Sequence, residues 1–321
     1  MSKPNSPGDW LFQQQWVAWM YDATLRRQLP LPYRLFAYYC ALQKSIGCSQ
    51  RIKKGRQCLQ LMMHLNHRLS SSYVARLVLP NQLSIYVNLS DPRFLRVVNE
   101  LVNPNEETAT LDKFLKPGDT FIDIGANHGS FSIVASGLVG ETGRIIAIEP
   151  QPVLADLVRC SLADNASCDY EVYEIACGSR SSTVTFFIPE DTSGSAGIFS
   201  AFSATHRHRQ LTVPLRCLDE VLPWRDLPGN LFLKLDIEGS EYNCLAGARQ
   251  LLLQRQPHIL MEANLSTLKA ADVSLEQLKA LLATLQYGEF AEVSDLTQRY
   301  PLAELHLRGK TSRNILLFPK S

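Results

Sequence analysis

The sequence lacks the features of a membrane-spanning or disulfide-bonded chain. Nowhere do about eighteen apolar residues run together without a charge, so no transmembrane helix is predicted. The first residues lack a charged segment followed by a continuous apolar stretch, so no export signal is predicted. The eight cysteines form no C-x-x-C pair, and most lie within apolar runs, as small core residues do. We therefore expect a reducing compartment, by default the cytoplasm.

A strong excess of one charge is also absent, since the net charge is +1. The distribution is uneven, because residues 1–70 carry ten Lys or Arg and only Asp9 and Asp22, a balance of +8. The small basic cluster at 51–56 is more typical of a solvated face than of a nucleic-acid site. No nucleic-acid partner is therefore predicted.

The N-terminal part reads as a helical extension, residues 1–70, that precedes a larger domain, residues 71–321. Three of the four tryptophans, Trp10, Trp16 and Trp19, lie within this extension, so its first helix needs a partner surface. That surface is the rest of the chain, a second subunit or a membrane interface, where tryptophan and arginine suit anionic headgroups. The sequence leaves these alternatives open.

Residues 120–150 contain a short apolar strand, a glycine loop, a helix and a second strand that ends in an acid. The loop between Gly125 and Gly129 turns sharply and lets a ligand approach the backbone, and the following helix points its N-terminus at the same place. Glu149 ends the second strand, where a carboxylate can accept both ribose hydroxyls of an adenosine. This order predicts a nucleotide-type cofactor site.

The glycine spacing separates three interpretations of this site. A dinucleotide dehydrogenase needs G-x-G-x-x-G, which is absent. A tight turn in an ordinary α/β protein is a second interpretation. The pattern D-x-G-x-N-x-G, followed by an acid at the next strand end, instead resembles the S-adenosylmethionine (AdoMet) loop of class I methyltransferases.

Several further segments extend the resemblance in the same order: FIDIGANHGSF, IIAIEPQP, VPLRCLDEVL, LFLKLDIEGSEYNCLAGA, HILMEAN and NILLFP. Together they resemble the FkbM family of AdoMet-dependent methyltransferases over residues 73–318. The most specific part is K-x-D-x-E-G-x-E, which starts at Lys234. The resemblance implies a Rossmann-like sheet of seven strands with the last strand antiparallel. It also implies methyl transfer, usually to an oxygen of a sugar or natural product.

The resemblance gives the cofactor loop specific roles. The loop would line the methionine part of AdoMet, Glu149 would bind the ribose, and Ala176 or Cys177 would lie at the adenine edge. Asp123 either reaches the methionine amino group or holds the loop in place. The predicted cofactor residues are Asp123, Gly125, Ala126, Asn127, Gly129, Glu149, Cys177 and Asp236.

A hydroxyl acceptor is a poor nucleophile, so a base or a metal should assist it. Asp236 and Glu238 project to the same side of one strand end, and Glu262 ends the neighbouring strand. These carboxylates are the predicted catalytic group and a candidate Mg²⁺ site. A purely structural role in helix capping or in pairing with Lys234 is the alternative. His206, close to His208 in a long loop, is a further candidate base.

The sequence therefore predicts an AdoMet-dependent O-methyltransferase with a small-molecule or glycan acceptor. A binding or scaffold protein is the alternative. Such a protein would retain the fold without turnover and engage a membrane or protein partner, or a second copy, through the N-terminal helices.

Overall fold

The computed structural model describes residues 17–45, 54–69, 73–189, 193–199, 207–307 and 311–320. The chain divides into two compact units, Met1–Pro104 and Asn105–Ser321. The extension predicted over 1–70 falls within the first unit, together with the hairpin and helix that follow it. Within the described residues, no helix combines the length and apolar character needed to cross a membrane.

The first unit consists of helices and one β-hairpin. Its elements are a 3-10 helix Ala18–Tyr21, α1 Ala23–Gln28, α2 Leu31–Ser45, α3 Gly55–Leu69, β1 Val74–Val78, β2 Ser84–Asn88 and α4 Phe94–Val102. The Asp22 carboxylate starts α1 by accepting the backbone N–H groups of Thr24 and Leu25. Trp19 is buried, and its indole N–H donates to the Leu95 carbonyl at 3.0 Å. Trp19 therefore contacts its own unit, whereas Trp10 and Trp16 lie outside the described residues.

The second unit alternates strands and helices. Its first half contains α5 Glu106–Phe114, β3 Thr120–Ile124, α6 Ser130–Val139, β4 Arg144–Ile148, α7 Pro152–Asn165, β5 Asp169–Tyr173, β6 Ala176–Cys177, β7 Ser182–Pro189 and β8 His208–Arg216. Its second half contains α8 Leu218–Val221, β9 Leu231–Leu235, α9 Glu241–Ala246, α10 Arg249–Arg255, β10 His258–Asn264, α11 Leu265–Ala270, α12 Leu275–Thr284, β11 Tyr287–Glu292, β12 Asp295–Pro301 and β13 Ser312–Pro319.

The central sheet has the strand order β12-β11-β13-β10-β9-β3-β4-β5. Strands β5, β4, β3, β9 and β10 run parallel, and β13 is antiparallel to both of its neighbours. This confirms the predicted Rossmann-like sheet with an antiparallel last strand. The sheet has one strand more than predicted, because β12 pairs with β11 at the edge. Most β12 side chains are exposed, so its sequence carries no apolar alternation.

Both faces of the sheet are covered. In β4, Ile145 and Ala147 face one apolar core, which includes side chains of α6 and α7. Ile146 and Ile148 face the opposite core, which includes side chains of α9, α10 and α12. Strands buried on both faces are mostly apolar, which explains why β4 shows no polar alternation.

Two elements differ from the sequence prediction. The segment YEVYEIA, residues 170–176, predicts a single strand, but β5 ends at Tyr173, and Ala176–Cys177 pairs with β8 in a separate three-stranded sheet. The segment EYNCLAGARQLL predicts one helix, but the structure divides it into α9 and α10. A Cβ at Gly247 would lie 2.0 Å from the Gly178 carbonyl oxygen, so the two backbones approach at this break.

Candidate functional site

The glycine loop after β3 is fastened to the ends of two neighbouring strands. The backbone N–H groups of Gly125 and Ala126 both donate to the Ile148 carbonyl, at 2.9 and 3.0 Å. On the other side, the Asp236 N–H donates to the Ile124 carbonyl at 3.1 Å. Gly125 has φ +83°, and a Cβ there would lie 2.1 Å from the Asp236 carbonyl oxygen. Only glycine fits this conformation and this close approach.

Glu149 is buried at the carboxyl end of β4 and faces the loop. One of its carboxylate oxygens accepts the Asn127 N–H at 2.9 Å, and the other accepts the Gln151 N–H at 3.0 Å. Burial raises the pKa of Glu149 to about 7, and these two hydrogen bonds offset part of that rise. Each oxygen retains a further lone pair, so the carboxylate suits two hydroxyl donors.

Asn127 connects the loop to a distant segment. Its φ of +53° is unusual for a residue with a side chain. Its side-chain Nδ2 donates to the Ser193 hydroxyl at 2.9 Å, and its side-chain Oδ1 accepts the His128 backbone N–H at 3.0 Å. The buried His128 ring also contacts this oxygen, with Nδ1 at 2.7 Å. His128 therefore helps to orient the Asn127 side chain.

Asp123 is fully buried in β3 and contacts two neighbouring elements. It accepts the Ser132 hydroxyl at 2.7 Å, from the first turn of α6, and lies 3.4 Å from the Lys234 ammonium of β9. Lys234 is buried over the Phe131 ring. Burial lowers the pKa of Lys234, but the carboxylates of Asp123 and Asp236 outweigh this effect and raise it overall. Through these contacts Asp123 connects β3 to α6 and to β9.

Asp236 begins the turn after β9 and differs from the other carboxylates near the loop. Its side chain is 42% exposed, and its nearest Oδ lies 3.8 Å from the Lys234 ammonium. The last parallel pair of β9 and β10 is Leu235 with Met261, so Glu262 follows at the level of Asp236. Glu262 accepts a long hydrogen bond of 3.4 Å from the Asn264 amide. Asp236 is thus accessible and lies directly beside the glycine loop.

The D-x-E-G turn is held by Glu241, the last acid of the signature. This buried carboxylate accepts the N–H groups of Ile237 and Gly239, at 3.3 and 2.9 Å. Burial raises its pKa to about 7. Glu238 has φ +49° and Gly239 has φ +102°, and a Cβ at Gly197 would lie 3.3 Å from the Glu238 carbonyl oxygen. Glu241 therefore stabilises the turn that precedes α9, and the N-cap residue Ser240 makes no side-chain capping hydrogen bond.

The predicted Mg²⁺ site finds no support. All three of its ligands, Asp236, Glu238 and Glu262, are described, yet no His, Cys, Asp or Glu cluster within the described chain is arranged to hold a metal ion. The carboxylates share an edge of the sheet without converging on one point.

The structure gives different outcomes for two other predicted site residues, Cys177 and His206. Cys177 is buried, and its hydrogen bond with the Cys244 thiol raises the pKa of Cys244. His206 lies outside the described residues.

Four residues at this site received no separate role from the sequence: Ser132, Ser193, Lys234 and Glu241. Lys234 and Glu241 are part of the K-x-D-x-E-G-x-E motif. The only sign in the sequence that Lys234 is buried is its position inside an apolar strand. Ser132 lies in the first turn of α6, the helix that follows the glycine loop, and this position lets its hydroxyl reach Asp123 of β3. Ser193 is 66 residues from its partner Asn127, and no sequence pattern indicates that contact.

Comparison with known proteins finds one family of matching domains and several more distant similarities. The profile of the Methyltransferase FkbM domain matches residues 123–290, just over half of the 321 residues. A curated relative, ribosomal RNA large subunit methyltransferase E of Bdellovibrio bacteriovorus, is 40% identical over 52 residues. That match covers 16% of this chain and 26% of the relative.

Among solved structures, similar folds include the methyltransferase FkbM from Methylobacillus flagellatus, with a TM-score of 0.39 and 16% identity. The alignment covers 91% of this chain and 72% of that one. A SAM-dependent O-methyltransferase from Thermotoga maritima gives a TM-score of 0.38 and 12% identity, covering 78% of this chain and 94% of that one.

The sheet order, the glycine loop and the acid at the end of β4 are those of a Rossmann-like α/β fold. The match to the Methyltransferase FkbM domain identifies the family. This chain belongs to the FkbM methyltransferase family.

Proposed function

We propose that the protein methylates a hydroxyl oxygen of a sugar or natural-product acceptor. The observation that carries this proposal is the accessible Asp236 carboxylate beside the cofactor loop. Glu149 and Glu241 each accept two backbone N–H groups, and Asp123 is fully buried. Asp236 is therefore the carboxylate best placed to receive a proton from an acceptor.

The residues of the loop fit AdoMet. The turn of Gly125, Ala126 and Asn127 would hold the methionine part, and Gly129 would allow the helix to start close behind it. Glu149 would accept the ribose hydroxyls through its remaining lone pairs. When bound, AdoMet supplies a methyl group activated on a sulfonium, and S-adenosylhomocysteine is the product.

In the proposed reaction, Asp236 accepts the hydroxyl proton as the acceptor oxygen forms its bond to the methyl carbon. The carbon–sulfur bond breaks with its electron pair moving to sulfur, so charge and atoms balance. Lys234 positions Asp236 through its ammonium group. Glu238 and Glu262 lie along the same edge and would bind other hydroxyls of the acceptor. General-base assistance of this kind contributes about 10²–10⁴-fold.

The test compares Asp236→Asn with the matched control Asp226→Asn, which alters an exposed aspartate before β9, on the opposite edge of the sheet. Labelled AdoMet and fractionated extract identify the product by mass. A methyl ether survives mild alkaline hydrolysis, whereas a methyl ester does not. We expect Asp236→Asn to retain AdoMet affinity and to lose turnover by about 10²-fold or more, while Asp226→Asn keeps both.

Unchanged turnover in Asp236→Asn would remove its role as the base. An alkali-labile or nitrogen-linked methyl group would contradict O-methylation. A protein that binds AdoMet but forms no S-adenosylhomocysteine with any fraction would instead fit the scaffold alternative. The cytoplasm and a glycan or other small-molecule acceptor stay predictions from the sequence.

A further inference from the structure

Helix α2 exposes a line of large apolar side chains. Leu31, Leu35, Tyr38 and Leu42 are 61, 51, 57 and 58% exposed. Their spacing of four, three and four residues places them within an arc of about 60° on the helix surface. We call these four residues the α2 stripe. The helix meets the core of its unit with other side chains, namely Tyr33, Phe36, Ala37 and Cys40, so core packing does not account for the stripe.

The surroundings of the stripe are positively charged. The Arg26 guanidinium lies 4.6 Å from the centre of the Tyr38 ring. Arg34 is a surface neighbour of both Leu31 and Tyr38, and it donates to the carbonyls of Leu29 and Arg27. Arg27 itself is exposed.

None of these three arginines forms an ion pair with a carboxylate within the described chain. Acidic residues are nearly missing from the same region. Asp22 is the sole acid between residues 17 and 69, and its side chain caps α1. No ion pair among the described residues therefore neutralises the charge around the stripe.

We propose that the α2 stripe docks on an anionic lipid surface. The leucines and Tyr38 would enter the boundary between headgroups and acyl chains, and Arg26, Arg27 and Arg34 would bind the headgroup phosphates. An apolar helix face with a basic border is the arrangement that binds such surfaces in the plane of the interface. The complementary charge favours anionic lipid over a second copy of this equally basic face. The inference concerns the first unit alone and is independent of the proposed reaction.

The test is co-sedimentation of the full chain with lipid vesicles. One set contains phosphatidylcholine with about 30% phosphatidylglycerol, and the other contains phosphatidylcholine alone. We expect binding to the anionic vesicles, weakening as salt is raised, and little binding to the neutral ones. Each basic residue near the surface contributes about fivefold to binding, so replacing Arg26, Arg27 and Arg34 by Gln should weaken it about a hundredfold.

The double variant Leu35→Asp/Leu42→Asp should also lose vesicle binding. Its matched control is Leu61→Asp, because Leu61 on α3 is 53% exposed but lies outside the stripe. The control should bind vesicles as the wild type does. Circular dichroism shows whether each variant is folded. If these variants fail to fold, the single variant Arg27→Gln, which changes an exposed side chain, decides the question by weakening binding about fivefold.

Failure to sediment with anionic vesicles would overturn the proposal. So would equal loss of binding in Leu61→Asp and in the stripe variant. A dimer in sedimentation equilibrium that the stripe variant abolishes, without any lipid binding, would assign the surface to a second copy instead. AdoMet affinity, measured on the same samples, shows separately whether the second unit is intact.

Discussion

Replacing Gly125 by alanine should strain the point where the cofactor loop meets β9. The added methyl carbon would lie 2.1 Å from the Asp236 carbonyl oxygen and 3.0 Å from the Ile237 Cγ2. A left-handed conformation costs a residue with a Cβ about 1–2 kcal/mol. Overpacking against backbone adds about 1–3 kcal/mol. The sum is a loss of about 2–5 kcal/mol in the free energy of unfolding.

For a unit of this size, that loss lowers the melting temperature by about 5–15 °C. Because the strain falls on the loop that would hold the methionine part of AdoMet, affinity should also fall by more than about tenfold. Differential scanning calorimetry and a titration with AdoMet measure the two effects on the same sample.

The matched control is Gly137→Ala in α6, the helix that follows the same loop. A Cβ at Gly137 meets no atom within 4 Å. Alanine in a helix interior is favoured over glycine by about 1 kcal/mol, so this variant should melt slightly higher and bind AdoMet unchanged. If Gly125→Ala melted as the wild type does, the close approach between the loop and β9 would be refuted.

Two further predictions concern buried charges. Burial raises the pKa of Glu149 from 4.5 to about 7, so the folded state binds more protons between these values, and this group alone should lower stability by about 3 kcal/mol as pH rises through them. Urea unfolding at several pH values measures this loss. Because the pKa of Glu241 is raised in the same way, Glu149→Gln should make the profile less steep, and Glu149→Gln/Glu241→Gln should flatten it. Lys234→Met should leave Asp123 buried without its ammonium partner and cost about 3–5 kcal/mol, whereas Asp123→Asn/Lys234→Met should recover part of the loss in the same assay. Equal stability of Lys234→Met and the wild type would contradict the buried pair.

Where local pattern and tertiary structure agree, the sequence predicts this protein well. The strand, glycine loop and helix of residues 120–139 are specified by nearby residues, as is the acid at the end of β4. The order of the recognised motifs along the chain then predicted the Rossmann-like sheet through the family resemblance. Edge strand β12 was missed because its polar side chains carry no periodic signal.

The roles of individual acids depended on tertiary contacts that the sequence could not specify. Asp123, Asp236 and Glu241 are all carboxylates within the recognised motifs, but their surroundings differ. Asp123 is fully buried against Lys234, Asp236 is accessible, and Glu241 accepts two backbone N–H groups. Their difference depends on which backbone groups surround each side chain. For the same reason the three predicted metal ligands shared an edge without forming a cluster.

Calorimetric titration of AdoMet into the wild-type protein and into Glu149→Gln tests the central claim most directly. The control is Glu141→Gln, an exposed glutamate in the connection between α6 and β4. Hydrogen bonds to a charged group contribute about 1.5–3 kcal/mol each, so we expect saturable binding by the wild type and by the control, and binding at least about tenfold weaker in Glu149→Gln. No binding by the wild type at roughly 100 µM AdoMet, or undiminished affinity in Glu149→Gln, would contradict the assignment of this loop as the methyl-donor site.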